Sequence, residues 1–285
     1  WINLGAPEVS PAQDASKDGS PEWIYWTDSI NGRIRRARLD GSNVEDVAWI
    51  DDQGDPVGVA IDPVRGKVYG NFLHSLAWAD LDGSELDFLY LLDVGSGIAI
   101  DPVGQVVFFA SDSGNCDDYS GCGIYRVNTD GTGMSQVVSL SYPVRGLALD
   151  TENDKIYWTA WNQGIKRANT DGSAIEPIIS RGVARFPAQI TAVPGKDRIY
   201  WTNRDSHFSG VYRADLNGDN IVHLSTGWAE GVAVDPQAGK VYWSVFLKRG
   251  VTQLRRADSE DGSNVEELLT TAPDINFLAL GAVPE

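Results

Sequence analysis

The sequence predicts an all-β domain of six four-stranded units closed into a ring, and three recurring features carry that prediction. A short apolar run, Ile24-Tyr25-Trp26-Thr27-Asp28, returns from Val68, Val107, Ile156, Ile199 and Val241 at spacings of 44, 39, 49, 43 and 42 residues. That period calls for a repeat architecture before any other reading. Each copy is followed by an alternating run and a turn dipeptide: Asp40-Gly41, Asp82-Gly83, Asp130-Gly131, Asp171-Gly172, Asn217-Gly218 and Asp261-Gly262. Asp-Gly and Asn-Gly supply the positive φ of tight hairpins. An inner run then recurs from Gly58, Gly97, Gly146, Gln189, Gly231 and Phe277, and each of the first five lies ten residues before the next copy of the first run.

Taken in order, residues 1–22 hold Pro7, Pro11 and Pro21 among small and polar residues without a period. They read as a linker or packed N-terminal arm, and residues 23–285 as the repeat domain. Each unit is written as strands A to D from the axis outward. Strand A is the inner run, B the Tyr-Trp run, C the run before the turn dipeptide, and D follows that turn. In strand A, Gly, Ala and Asp alternate with Val, Ile and Leu, so that small residues on one face let inner strands crowd at an axis. Strand C repeats Arg in one slot, at Arg36, Arg126, Arg167, Arg213 and Arg256, with Trp78 in the second unit. Five siblings in one slot point to structural pairing between units. The run at Phe277 has no strand B after it, and Ile24 has no strand A before it. Residues 277–283 are therefore expected to supply strand A of the first unit, closing the ring.

On these motifs the chain resembles the six-bladed YWTD β-propellers of the low-density lipoprotein receptor family, over residues 23–283. The resemblance implies an extracellular module that binds protein ligands. The fifth motif position keeps the family's Asp only at Asp28; Phe72, Ser111, Ala160, Asn203 and Val245 take the other slots.

Composition narrows the function classes. A net charge of −17 disfavours nucleic acid and anionic membrane surfaces, and no apolar run approaches the roughly 18 residues of a membrane span. The chain begins at Trp1, which suggests a mature or excised form. Cys116 and Cys122, six residues apart in a Gly/Ser/Asp-rich stretch, are expected to form a disulfide in a secreted or extracellular protein. No Asn-x-Ser/Thr acceptor occurs. A monomer is expected, with no cofactor. Calcium is the weighed exception, because Asp51, Asp52 and Asp55, and separately Asp112, Asp117 and Asp118, offer oxygen ligands. Neither group has calcium-loop spacing, and Asp-x-Asp-Gly at 80–83 lacks the later Glu.

Loop lengths separate a plain end from a working end. A to B connections are constant, whereas B to C and D to A connections vary and lie at the same end of each unit. Around the axis at that end come Val57, Ser96, Arg145, Gln189, Glu230 and Asn276; outside them lie His74, Asp112, Trp161, Arg204, His207, Phe208, Phe246 and Lys248, with Tyr142, Arg185, Phe186 and Trp228 on the rim. The leading expectation is a recognition domain for a protein or carbohydrate. Its candidate ligand-binding residues are Arg145, Gln189, Glu230, Asn276, Trp161, Arg204, Trp228, Phe246 and Arg185. The rival is a polysaccharide lyase or glycoside hydrolase working at the mouth of the central channel. There Arg145 or Arg204 would hold a substrate carboxylate while His74, His207, Tyr142 or Glu230 moves protons. No nucleophile elbow, phosphate-binding loop or zinc-protease motif is present.

Overall fold

The computed structural model describes residues 20–49, 56–72, 74–90, 94–112, 121–247, 250–271 and 275–282, without the side chains of Tyr90 and Asp112. The arm over residues 1–19, Cys116, Lys248 and the Asp51/Asp52/Asp55 and Asp117/Asp118 groups lie outside them.

Six antiparallel four-stranded sheets stand around one axis as a six-bladed propeller. Blade 1 joins β1 (Trp23–Asp28), β2 (Arg33–Arg38) and β3 (Glu45–Trp49) to the C-terminal β24 (Leu278–Gly281). Blade 2 is β4 (Pro56–Asp62), β5 (Lys67–Phe72), β6 (Ser75–Asp80) and β7 (Asp87–Tyr90). Blade 3 is β8 (Ile98–Asp101), β9 (Val106–Asp112), β10 (Cys122–Asn128) and β11 (Ser135–Ser139). Blade 4 is β12 (Gly146–Asp150), β13 (Lys155–Ala160), β14 (Gly164–Asn169) and β15 (Glu176–Ile179). Blade 5 is β16 (Pro187–Val193), β17 (Arg198–Asn203), β18 (Gly210–Asp215) and β19 (Val222–Thr226). Blade 6 is β20 (Trp228–Asp235), β21 (Lys240–Phe246), β22 (Thr252–Asp258) and β23 (Glu266–Thr271). The ring closes as the sequence predicts: β24 pairs with β1 in the register Trp26↔Leu278, Tyr25↔Ala279, Ile24↔Leu280 and Trp23↔Gly281.

Strand B of each blade is covered on both faces, which is why its run is continuously apolar. Successive side chains point to opposite faces. In blade 4, Trp158 therefore packs with Phe108, Ala110 and Ile124 of blade 3, while Tyr157 packs with Ile190, Ile199 and Trp201 of blade 5. The same relay joins Tyr200 to Trp243 and Tyr242 to Trp26. Blade 2 breaks the motif. Gly70 stands in the Trp slot, and Phe72, fully buried two residues on, lies so close that a Cβ at Gly70 would meet its ring at 2.9 Å. The ring of Phe72 occupies the space an indole would fill.

Polar clamps reinforce the blade contacts. Arg36 donates to the carbonyl of Leu81, Arg167 to Leu216, Arg213 to Glu260 and Arg256 to Leu39, each in the next blade around the ring. Arg36, Arg167 and Arg256 also bind a strand D carboxylate of their own blade. Burial pushes the hydroxyls of Tyr25, Tyr157, Tyr200 and Tyr242 above their ordinary pKa, and that of Tyr69 up to about 12.

The turn dipeptides differ from expectation. They do not close two-residue hairpins: five of the connections are six residues long, at 39–44, 81–86, 129–134, 170–175 and 216–221. Each carries two positive-φ residues, the glycine and the residue two beyond it, as at Gly41 and Asn43 or Gly172 and Ala174. The glycine has a second reason. A Cβ at Gly172 would lie 2.0 Å from the Val137 carbonyl oxygen, and one at Gly218 2.2 Å from that of Ile178, because the turn rests on strand D of the preceding blade.

Candidate functional site

Strand A runs away from the variable-loop end, so the residue entering it stands at the mouth of the axis. There the D to A and B to C loops enclose a cup of about 390 Å³, whose lining includes Val57, Ser96, Arg145, Arg204, Glu230, Phe246 and Asn276. Below it, a separate channel of about 250 Å³ runs between the inner strands, lined mainly by Ala, Val, Ile and Leu.

The centre of the cup is Glu230, on β20, with a side chain only 4% exposed. Arg204, just beyond β17, approaches its Oε2 at 2.9 Å, and Arg145, just before β12, approaches Oε1 at 3.8 Å. Backbone bonds fix both arginines: the Arg145 N–H donates to the Thr159 carbonyl, and the Arg204 N–H to that of Phe186. The Glu230 backbone is held by Thr202, whose hydroxyl donates to its carbonyl at 2.6 Å and accepts from the Gln189 N–H at 3.1 Å. This is the fourth motif position at work, since Ser244 does the same between Gly231 and Asn276.

Each guanidinium also lies over an aromatic ring: Arg145 is 4.7 Å from Trp161, and Arg204 is 5.4 Å from Trp228 and 5.9 Å from Phe246. The indoles stand at the rim, 42% exposed at Trp161 and 52% at Trp228. Phe186 meets Trp161 edge to face at 6.0 Å and carries Arg185 over its own ring at 5.3 Å. The result is a charged pit with an aromatic lip on blades 4 to 6.

Several candidates stand elsewhere or are already engaged. Gln189 lies below the cup, and its amide is committed to backbone. It donates to the Leu278 carbonyl at 2.6 Å and accepts from the N–H groups of Val232 and Leu278. It braces the inner strands of blades 5, 6 and 1. Tyr142 accepts from Lys166 at 2.8 Å and does not line the cup. His74 is in the β5–β6 turn of blade 2 and His207 in the β17–β18 loop of blade 5, three blades apart either way round, so the two do not converge. His223 stacks on Tyr212 at 4.3 Å in the outer part of blade 5. Asn276 lines the cup and donates to the Ser29 hydroxyl. Of the two cysteines, Cys122 is buried at the start of β10.

One organising residue, Asp205, was not singled out by the sequence pattern. Buried beside the loop, it accepts from the His207 N–H at 2.8 Å and lies 4.0 Å from Arg185. Asp two residues before a polar loop residue is the available signal for such a turn. Burial, then the Asp205 charge, raises the Tyr212 pKa, and that hydroxyl donates to the Phe208 carbonyl under the same loop. Among the described residues no group of three His, Cys, Asp or Glu is arranged to hold a metal ion. Asp80 and Asp82, the acids of the 80–83 segment, are bonded to Lys67 and Ser84.

Residues 22–63 match the low-density lipoprotein receptor repeat class B family. Low-density lipoprotein receptor-related protein 1 of Pyricularia oryzae is 30% identical over 145 residues, covering 42% of this chain and 46% of that protein. A 3-hydroxyacyl-CoA dehydrogenase-like protein of Cochliobolus heterostrophus is 23% identical over 152 residues, covering 46% of this chain and 32% of that one. The chain thus spans less than half the length of these curated relatives. Among solved structures, a chain of the nidogen/laminin complex superposes with a TM-score of 0.74 at 19% identity, covering 90% of this chain and 97% of that chain. At that identity the likeness shows the fold.

Proposed function

We propose that this chain, a six-bladed YWTD β-propeller of the low-density lipoprotein receptor family, is an extracellular recognition domain whose protein or carbohydrate ligand seats on the variable-loop face. The observation that carries this reading is Glu230 set between Arg145 and Arg204 in a 390 Å³ cup, with exposed indoles at the lip. Trp and Arg in a central, partly desolvated patch are the residue types that dominate binding energy at recognition surfaces. The inter-blade clamps keep the scaffold rigid, so a ligand meets a preformed surface and little ordering cost opposes its binding.

Acid/base chemistry needs two groups that reach one bond. His74, His207 and Tyr142 do not gather at Glu230, and recognition is therefore favoured over bond cleavage. In the same reading Cys122 pairs with Cys116 and the domain works as a monomer. The test is capture of ligand from fractionated extracellular protein and polysaccharide by the immobilised domain, with a Trp161→Ala, Trp228→Ala variant alongside. Both indoles are half-exposed, so the variant keeps its melting temperature within a few degrees and loses capture. Full retention of capture by the folded variant would sink the proposal.

A further inference from the structure

We infer that the partner of this face is a protein presenting a short acidic segment with apolar side chains among its carboxylates, and that the segment seats on the loops of blades 4 and 5, beside the cup. The inference rests on the recognition reading above and specifies the chemistry of its ligand.

The charge of the connections at the variable-loop end is divided. The β3–β4, β7–β8 and β9–β10 connections carry Asp51, Asp52, Asp55, Asp93, Asp117 and Asp118 in sequence, and no Lys or Arg. The β15–β16 and β17–β18 connections instead carry Arg181, Arg185 and Arg204 against one acid, Asp205. Arg204 turns into the cup toward Glu230. The other two face solvent. Arg181 is exposed and makes no ion pair among the described residues. Arg185 keeps 60% of its side chain exposed, with the Asp205 carboxylate 4.0 Å away and itself buried beneath the loop. In a protein of net charge −17, two solvent-facing guanidiniums on one loop reverse the sign of the local field.

That loop is fastened on several sides. The Val183 and Ala184 N–H groups donate to the Ser180 carbonyl, closing a turn that contains Arg181. The Asn162 N–H donates to the Arg185 carbonyl. Asn203, fully buried at the end of β17, accepts from the Phe186 N–H at 3.1 Å and donates to the Val183 carbonyl at 3.2 Å. The Asp of the family motif could accept in this slot but not donate. Both arginines are thus presented from a preformed platform, which keeps the ordering cost of binding low.

Apolar surface on the same loops decides what carries the negative charge. Arg185 lies over Phe186, Phe186 meets Trp161, and Trp161 and Phe208 are exposed, with Trp228 on the neighbouring blade. Cations beside exposed rings call for a ligand that carries carboxylates and apolar side chains together, as a polypeptide does. An anionic polysaccharide is charged along its length. Crossing this face it would also meet the Asp-bearing connections, a repulsion screened only beyond about 8 Å. A short acidic segment stays on one arc.

The experiment selects a random linear-peptide library on the immobilised protein and on an Arg181→Gln, Arg185→Gln variant. One enriched peptide, its Asn/Gln counterpart and a heparin oligosaccharide are then titrated by calorimetry. Wild type is expected to enrich peptides that combine Asp or Glu with aromatic or aliphatic residues, and the variant to lose them. An exposed charge pair is worth up to about fivefold in affinity, so the double substitution should weaken an acidic peptide by roughly tenfold. The Asn/Gln peptide should bind wild type as weakly as the acidic one binds the variant. Both side chains face solvent, so the variant should keep its melting temperature. Enriched peptides without acids, equal binding by the variant, or no enrichment would overturn the inference. So would heparin binding more tightly than any peptide through the same arginines. If capture through Trp161 and Trp228 persists in those cases, the recognition reading stands; if nothing is captured through this face, both fall.

Discussion

The docking of each turn on the blade before it can be isolated by comparing two glycines. Gly131 and Gly172 occupy the same slot and share the same conformation, with φ of 81° and 86°. Their surroundings differ: a Cβ at Gly172 would lie 2.0 Å from the Val137 carbonyl oxygen, whereas at Gly131 the nearest atoms are those of Leu89 at 3.8 Å. Gly131→Ala should therefore cost only the left-handed backbone penalty of an L-residue, about 1–2 kcal/mol. Gly172→Ala pays the same penalty and must also push strand β11 away, adding about 1–3 kcal/mol as in overpacked interiors. Urea denaturation of both variants against wild type reads the difference directly from the midpoints, provided the m-value is unchanged. Equal losses in the two variants would refute the claim that the turn glycines are required for blade-to-blade contact as well as for φ.

Four further outcomes follow from the same geometry. Thr202→Val keeps shape but removes the hydroxyl that bridges Gln189 and Glu230, and should cost about 1–3 kcal/mol in the same denaturation assay; a neutral result would mean that the fourth motif position is not a clamp. Trp161→Ala with Trp228→Ala should abolish ligand capture at an almost unchanged melting temperature, measured by pull-down and calorimetry. The turn carboxylates Asp40, Asp82, Asp130, Asp171 and Asp261 are held below the usual range by the hydroxyl and then the N–H of the Ser or Thr two residues on. A depressed folded pKa gives stability that is present above the unfolded value of about 3.9 and lost as pH falls through the folded one. The denaturation midpoint should therefore hold through neutral pH and fall below about pH 4, less steeply in a Ser42→Ala, Ser84→Ala, Ser173→Ala variant; parallel curves would count against these turns. Finally, alkylation without reduction should leave the intact mass unchanged if Cys116 and Cys122 are paired, and two added alkyl groups would show free thiols.

The fold was legible because its units repeat. A single Tyr-Trp run says little, but six in register with six inner runs fix strand order, blade number and the closing strand; the six four-stranded sheets display the first two and the β24–β1 pairing the third. What a repeat cannot reveal is how a slot behaves when its occupant changes. Phe72 stands in the slot where the family keeps Asp, and it fills the room left by Gly70. Connection length was also hidden. An Asp-Gly pair is compatible with a two-residue hairpin, and the second positive-φ residue announces itself at Asn43, Asn220 and Asn264 but not at Glu85 or Ala174. The convergence of Arg145, Arg204 and Glu230 spans blades 4, 5 and 6, so only the ring's geometry could bring them together.

Recurrence separates the two kinds of polar residue in this chain. Arg36, Arg167, Arg213 and Arg256 fill one slot, and each reaches the next blade's backbone; Thr202 and Ser244 fill another and do likewise. A closed ring imposes the same mechanical demand at every blade junction, so what satisfies it recurs. A ligand imposes its demand once, and the residues that meet it have no equivalents around the ring: Arg145, Arg204 and Glu230 qualify on that count. Uniqueness alone is insufficient, because Gln189 is equally singular and spends its whole amide on the inner strands. The discriminating property is where a side chain's hydrogen-bonding capacity goes. Gln189 turns inward to backbone, while the Arg145–Glu230–Arg204 cluster lines an open cup under exposed indoles. That difference in placement, more than the motif that brings the blades together, makes the mouth of this propeller the place to look for a ligand.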